Sequence, residues 1–209
     1  MRANCGLWVG LFMIAALGTL AAKYYAYLPG DVAVMRLVQS LLPVNLTWAE
    51  EVSRTAEFPW ILLILALIFA LSWVLAGWRD ALLAILSLAG MWILGAVLGP
   101  VIARPRPSPE LVRVFRPLSG YSFPSLFALR YAATFGFLAV LATVKSSGRL
   151  GSALVIGCGV LLPLGFVARV ALAAHWPSDL VISYYLGLLW AAFLIRFAPL
   201  GSEEALLRA

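Results

Sequence analysis

The sequence predicts an all-α integral membrane protein, a single domain over residues 1–209 that folds as a bundle of six transmembrane helices. Of the 209 residues, 64% are hydrophobic and only 11% are charged, and the mean hydropathy is +1.00. Soluble domains are about a quarter charged, so these few charges cannot cover a surface that faces water. We therefore expect most of the chain to be surrounded by the lipid bilayer, which is its first predicted partner.

Six apolar runs supply the predicted helices, because each is long enough to cross a bilayer, which takes about 17–25 residues. Backbone groups find no water in lipid, so each run must be a helix or a strand of a closed barrel. The runs lack the alternation of a barrel strand, which favours helices. The predicted spans are residues 6–26, 58–77, 81–101, 123–144, 151–169 and 179–198.

The first run, residues 6–26, also resembles a secretory signal peptide. Arg2 precedes it, and Ala21-Ala22 is typical of a cleavage site. We interpret the run as a retained span, because every later run is membranous as well.

The connectors between the runs predict the topology. Residues 78–80 and 145–150 are short, and the second is basic, which marks their side and both termini as cytoplasmic by the positive-inside rule. The longer connectors are then extracytoplasmic, and an amphipathic segment over 31–42 suits the membrane interface. These outer connectors are residues 27–57, 102–122 and 170–178.

The formal net charge of +6 comes from arginines that cluster between apolar runs. The connector 102–122 carries four of them against one acid, Glu110. A simple charge count would place this connector inside, but arginines that bind a ligand do not report topology. The pattern favours anionic lipid headgroups or a phosphate ligand and argues against nucleic acid.

The only histidine, His175, lies close to Arg169 and Asp179 at the mouth of the last run. Ionisable residues at membrane depth are costly and usually functional. Pro177 suits the first position of a helix, so His175 lies at its positive end, where an anion meets free backbone N–H groups. Asp179 could hold one imidazole nitrogen and leave the other free to attack phosphorus. Alternatively, Asp179 only complements the helix dipole and His175 is an interfacial polar residue.

Two further segments fall on the same side of the predicted topology. Pro124 suits the first position of the fourth span, with Ser125 in its first turn, although Pro-Ser is also an ordinary helix start. Arg104 and Arg106, each followed by a proline, follow the third span on a stiff backbone. Guanidinium groups bind phosphate in a bidentate manner, although such a stretch can also contact lipid headgroups. Together these segments suit a phosphate monoester or diphosphate.

In this order, the segments resemble the type 2 phosphatidic acid phosphatase family, relatives of lipid phosphate phosphatases and vanadium haloperoxidases. Three motifs characterise that family: K-x-x-x-x-x-x-R-P, P-S-G-H and S-R-x-x-x-x-x-H-x-x-x-D. The matching residues are Arg104 with Pro105, Pro124 with Ser125, and Arg169 with His175 and Asp179.

The resemblance implies a membrane phosphatase that needs no metal or other cofactor and acts on a phosphorylated lipid, here expected in a cell inner membrane. His175 would form a phosphohistidine, Asp179 would orient it, and Arg169 would stabilise the transition state. The residues expected to bind phosphate oxygens are Arg104, Ser125, Arg169, Arg106 and Arg130.

Four motif positions depart from the family pattern. They are Val97, Leu126, Phe127 and Ala168, in place of lysine, glycine, histidine and serine. The family's second-motif histidine protonates the leaving oxygen, and a phenylalanine cannot, a loss that typically costs about 10²–10⁴ in rate. A diphosphate leaves as phosphate and depends less on an acid, so we expect prenyl or lipid diphosphates to be preferred. Arg130, one turn beyond Phe127, could replace part of the missing positive charge, but it cannot serve as a general acid near neutral pH.

Three functions stay open at this point. The first is a divergent phosphatase of lipid phosphates or diphosphates. The second, motivated by the missing lysine and histidine, is an inactive family member that binds a phosphorylated lipid or a protein partner. The third is a small transporter, for which the spans carry few polar residues. The oligomeric state is not indicated.

Overall fold

A computed structural model of the chain describes residues 5–197, and in that range every regular element is a helix. The all-helical fold class is therefore confirmed. The helices are α1 (Cys5–Tyr24), α2 (Asp31–Leu41), α3 (Thr47–Arg54), α4 (Trp60–Ala76), α5 (Trp78–Ile102), α6 (Leu126–Tyr131), α7 (Phe137–Lys145), α8 (Arg149–Ala171) and α9 (Pro177–Phe197). A π-helical segment, Ala132–Gly136, joins α6 to α7, so that Leu126–Lys145 is one continuous stretch.

The predicted spans coincide with helical stretches, whose bounds differ from the prediction by at most three residues. Between residues 5 and 197, five stretches are long and apolar enough to cross a membrane: α1, α5, Leu126–Lys145, α8 and α9. The remaining predicted span corresponds to α4, an apolar helix of 17 residues, which at about 1.5 Å per residue reaches about 26 Å. Arg2 and residue 198 lie outside the described residues. The chain is a multi-pass membrane protein.

The stretch Leu126–Lys145 forms the centre of the bundle. In its most apolar part 67% of the residues are buried, against 33% or less in the other four long stretches. Helix α9 packs closely along it because Gly187 has no side chain there. A Cβ on Gly187 would lie 2.4 Å from the Cβ of Ala132. This packing brings the beginnings of α6 and α9 together at one end of the bundle.

Helices α2 and α3 cover that same end. Met35 of α2 packs with Val170 and Trp176, at the end of α8 and just before α9. Ala49 of α3 packs against Ala168 of α8. The predicted amphipathic segment is helix α2, and its apolar side contacts protein.

Helix α6 begins later than the sequence predicted. Pro124 precedes the helix, and Ser125 is its N-cap in an extended conformation, with ψ of 105°. The Oγ atom of Ser125 accepts a hydrogen bond from the N–H of Ala128 at 3.3 Å, which is the usual contact of a capping serine. By contrast, Pro177 is the first residue of α9, as predicted.

Candidate active site

A cavity of about 550 Å³ opens at the end of the bundle that α2 and α3 cover. Its wall includes the end of α5, the beginning of α6, the end of α8 and the chain before α9. Cations outnumber anions in this wall. Its charged side chains and histidine are Arg54, Arg106, Arg116, Arg130, Arg169, Glu50, Glu57 and His175.

His175, the predicted nucleophile, lies in the wall of this cavity and is 3% exposed. Its Nδ1 atom lies 2.6 Å from the carbonyl oxygen of Ser122. A carbonyl accepts, so Nδ1 carries the proton and donates, which leaves the lone pair on Nε2. Burial, followed by the charges of Arg169 and Arg106, lowers the pKa of His175 well below its ordinary value of 6.5. The imidazole is therefore neutral at pH 7, with one nucleophilic nitrogen.

Asp179 does not contact the imidazole, contrary to the expectation from the sequence. One of its carboxylate oxygens accepts from the N–H of Trp176 at 3.2 Å and from the hydroxyl of Ser122. The other oxygen pairs with Arg104. The bond to Trp176 is the return contact of an acid in the first turn of a helix. Asp179 is linked to His175 through Ser122, not directly.

The N-terminus of α9 is not the open anion site that the sequence suggested. The N–H of Ser178 donates to Oδ1 of Asp31 at 2.8 Å, and the N–H of Trp176 donates to Asp179. These donors already have carboxylate acceptors. A ligand beside His175 therefore depends on side chains for its binding.

Arg104 lies behind the site and does not line the cavity, contrary to its expected role in binding phosphate. It is 1% exposed and lies between two acids. Its Nη2 atom is 3.5 Å from Asp31, its Nη1 atom binds Asp179, and its Nε atom donates to the carbonyl of Tyr25 at 2.9 Å. Two carboxylates already balance its charge, so Arg104 has little capacity left for an anion.

Arg106 lines the cavity in place of Arg104. It donates to the carbonyl of Ala174, the residue before His175, and to that of Ser119 at 3.2 Å. Burial lowers the pKa of Arg106, and Asp179 partly offsets this. These contacts fix the guanidinium beside His175.

The position of Arg106 changes the register of the first motif. The pattern K-x-x-x-x-x-x-R-P ends equally well on Arg106-Pro107, and its lysine position then falls on Gly99. Gly99 lines the cavity, whereas Val97 is 55% exposed on the surface of α5. In either register the lysine is missing.

Arg169 lines the cavity near the end of α8. Its guanidinium carbon lies 5.4 Å from the centre of the Phe127 ring, a cation–π contact. In the part of the chain that the structure describes, its Nε atom is buried without a hydrogen-bond partner, and no carboxylate lies within ion-pair distance. Arg169 is thus the cation of this site with the least compensation.

The two bulky residues of the second motif fit against glycines on neighbouring helices. A Cβ on Gly165 would lie 2.8 Å from the ring of Phe127, and a Cβ on Gly95 would lie 2.4 Å from Leu126. Phe127, at the histidine position of the second motif, thus packs against Gly165 and supports Arg169. Ala168, at the serine position of the third motif, packs against α3 and does not face the cavity.

The two remaining predicted residues differ in position. Arg130 lines the cavity, donates to the carbonyl of Ala56 at 2.8 Å and lies over the ring of Trp92 at 6.0 Å. Ser125 is fully buried, caps α6 and does not line the cavity, so its hydroxyl is not placed to bind phosphate there. The structure therefore gathers Arg106, Arg130, Arg169 and His175 in one cavity.

Two residues of the site, Ser122 and Asp31, carry no motif that sequence reasoning could use. Asp31 begins the amphipathic segment, which explains an acid there as a first-turn residue of α2. Among residues 5–197, no group of three or more histidine, cysteine or acidic side chains could hold a metal ion.

The sequence model of the PAP2 superfamily matches residues 80–201. The fold is similar to the crystal structure of the first transmembrane PAP2 type phosphatidylglycerolphosphate phosphatase from Bacillus subtilis, with a TM-score of 0.72 and 24% sequence identity. That match covers 95% of this chain and 96% of the other. A search of curated proteins gave no match.

Proposed function

The chain belongs to the PAP2 superfamily, and from this premise we propose that it is a phosphatase of membrane lipid phosphates or diphosphates. The proposed nucleophile is His175, which forms a phosphohistidine. The matched residues 80–201 include every side chain that we assign to the reaction. The proposed location is a cell inner membrane, with the cavity on the extracytoplasmic side and both termini in the cytoplasm.

The observation that carries this proposal is the buried guanidinium of Arg169, which forms no ion pair among the described residues and lies beside a neutral imidazole. A buried charge without a partner is costly. Within the described residues the Nε atom of Arg169 has no hydrogen-bond partner, and its guanidinium makes no ion pair. Arg106 adds a second cation near the same imidazole. A phosphoryl group would supply the missing negative charge and would lie against the free ring nitrogen.

The mechanism follows from these positions. The lone pair of His175 Nε2 attacks phosphorus, and the bond from phosphorus to the leaving oxygen breaks with its electron pair on that oxygen. Arg106 and Arg169 stabilise the negative charge on the phosphoryl oxygens in the transition state. Water then attacks the phosphohistidine, the P–N bond breaks, and the electron pair returns to Nε2. One water proton leaves with solvent or with the inorganic phosphate.

The leaving group decides which substrates suit this site. Phe127 has no proton to give, and the arginines remain charged near neutral pH. An alkoxide that leaves from a lipid monophosphate needs a proton, whereas the lipid monophosphate that leaves from a diphosphate is a stable anion and does not. We therefore propose a lipid or prenyl diphosphate as the better substrate. A phosphomonoester such as the one named for the Bacillus subtilis protein would react more slowly.

Phosphate release by purified protein in detergent tests this function. Wild type, His175→Ala and a control at the opposite end of the bundle, Arg79→Ala, are compared on a prenyl diphosphate and on phosphatidate. We expect release by wild type and control, faster on the diphosphate, and none by His175→Ala. Equal release by wild type and His175→Ala would exclude the proposed nucleophile.

A second candidate function rests on the packing of Phe127. Because Phe127 is fitted against Gly165 and under Arg169, the cavity is also suited to bind a phosphorylated lipid without turnover. This function predicts that phosphatidate raises the melting temperature of wild type but not of Arg169→Ala, with no phosphate released. Efficient turnover would exclude it.

A further inference from the structure

Ser122 is 0% exposed, and each of its polar groups makes a hydrogen bond. Its N–H donates to the carbonyl of Arg104 at 2.8 Å, and its hydroxyl donates to Asp179. Its carbonyl accepts from Nδ1 of His175 at 2.6 Å. Its two neighbours, Tyr121 and Phe123, line the cavity. Ser122 itself thus lies directly behind the cavity wall, and its side chain is hydrogen-bonded to Asp179.

The acid behind Ser122 is itself held in place. Arg104 pairs with both Asp179 and Asp31, and the hydroxyl of Ser178 donates to Asp31 at 2.7 Å. Asp31 also accepts from the N–H of Leu28 at 2.7 Å. The three charged members, Arg104, Asp31 and Asp179, are 4% exposed or less. This network connects α2, the end of α5 and the beginning of α9, and Ser122 is its contact with the imidazole.

We propose that Ser122 is a positioning residue, through which Asp179 fixes the tautomer and the orientation of His175. The inference rests on the proposed function, in which His175 is the nucleophile. A carbonyl can only accept, so it selects the tautomer with the proton on Nδ1 and the lone pair on Nε2. The bond from the Ser122 hydroxyl to Asp179 keeps this carbonyl in line with the ring. The acid therefore acts on the backbone of Ser122 and not on the imidazole.

The chain has one histidine, which makes the tautomer directly measurable. Protein labelled with ¹⁵N-histidine, purified with a tag that contains no histidine, gives the two ring-nitrogen signals of His175 alone. We expect a protonated Nδ1 and an unprotonated Nε2 in wild type near pH 7. In Ser122→Ala we expect exchange between the two tautomers. The reverse tautomer in wild type would overturn the proposal, and so would an unchanged spectrum in Ser122→Ala.

The matched control is Ser183→Ala. Ser183 is also 0% exposed, lies one turn beyond Asp179 and makes one buried hydrogen bond, to the N–H of Ser125. Ser183→Ala should lower stability as Ser122→Ala does but leave the tautomer of His175 unchanged. Should Ser122→Ala not fold, Ser122→Cys replaces it, because a thiol is a weaker donor in a similar volume. An altered tautomer in Ser183→Ala would show that loosened packing, not Ser122, controls the ring, and would overturn the proposal.

Enzyme kinetics provide a second test of the role of Ser122. In Ser122→Ala we expect kcat to fall roughly tenfold or more with little change in KM, because the phosphate-binding arginines are untouched. Ser122→Thr, which keeps the hydroxyl, should recover most of kcat. Equal kcat in Ser122→Ala and wild type would overturn the proposal. If wild type releases no phosphate at all, the proposed function fails, while the tautomer measurement still decides the role of Ser122.

Discussion

Arg104 and Arg106 lie two residues apart, and the structure predicts opposite consequences for their removal. Arg104 is 1% exposed between Asp31 and Asp179, which are 4% and 0% exposed. Arg104→Ala leaves both carboxylates buried without a cation, and breaking such a buried pair typically costs about 3–5 kcal/mol. At about 2–4 °C per kcal/mol for a chain of this size, the melting temperature should fall by about 6–20 °C.

Arg106→Ala should instead lower activity with little loss of stability. Arg106 donates to two backbone carbonyls and pairs with no acid within ion-pair distance in residues 5–197. The loss of these two hydrogen bonds should cost about 1–2 kcal/mol of stability in total, less than the loss expected for Arg104→Ala. Removing a cation that stabilises the transition state should cost about 10²–10³ in kcat.

The assay combines thermal unfolding in detergent, with and without inorganic phosphate, and phosphate release. Phosphate should raise the melting temperature of wild type and of folded Arg104→Ala, but not that of Arg106→Ala. If Arg104→Ala unfolds at the wild-type temperature, or if Arg106→Ala keeps its response to phosphate, the assignment of the two arginines is refuted.

Three further predictions follow from the site. The double change Leu126→Gly with Phe127→His should raise hydrolysis of phosphatidate by about tenfold or more by supplying a general acid, and unchanged phosphatidate kinetics would contradict this. Gly165→Ala should displace the ring of Phe127, which lies 2.8 Å from the added Cβ, and lower kcat, whereas wild-type kinetics would show that the ring does not support the site. His175 is protonated near pH 6.5 in the unfolded chain but only at lower pH in the folded chain, because burial lowers its pKa. The free energy of unfolding should therefore fall as the pH drops below about 6.5. His175→Gln should remove that part of the pH dependence in urea or thermal titrations.

The bundle was predictable because the bilayer imposes its length and polarity on each span. The sequence also indicates which end of the bundle carries the site, since Pro177 begins α9 and the arginines follow α5. Helix ends were less predictable: Ser125 caps α6 instead of entering it, which follows from the extended backbone before Leu126.

The partners of the site residues were not predictable from the sequence. The spacing of the first motif fits Arg104 and Arg106 equally well. Only the packing of Asp31, at the beginning of α2, shows that the charge of Arg104 is already balanced by carboxylates. In the same way, spacing brings Asp179 close to His175 but does not reveal that Ser122 lies between them. Contacts between residues more than 50 positions apart decide both cases.

The central prediction is that the phosphoryl group is transferred to His175 before water releases it. Trapping the phosphohistidine intermediate tests this prediction most directly. Wild type and His175→Ala are mixed with a prenyl diphosphate labelled in its terminal phosphate, quenched in alkali within the first turnover, and digested for mass spectrometry. Because the chain has one histidine, any phosphohistidine must be at position 175. We expect an acid-labile, alkali-stable phosphopeptide containing residue 175 in wild type and none in His175→Ala. Phosphate release by wild type without that phosphopeptide, or continued release by His175→Ala, would contradict the account.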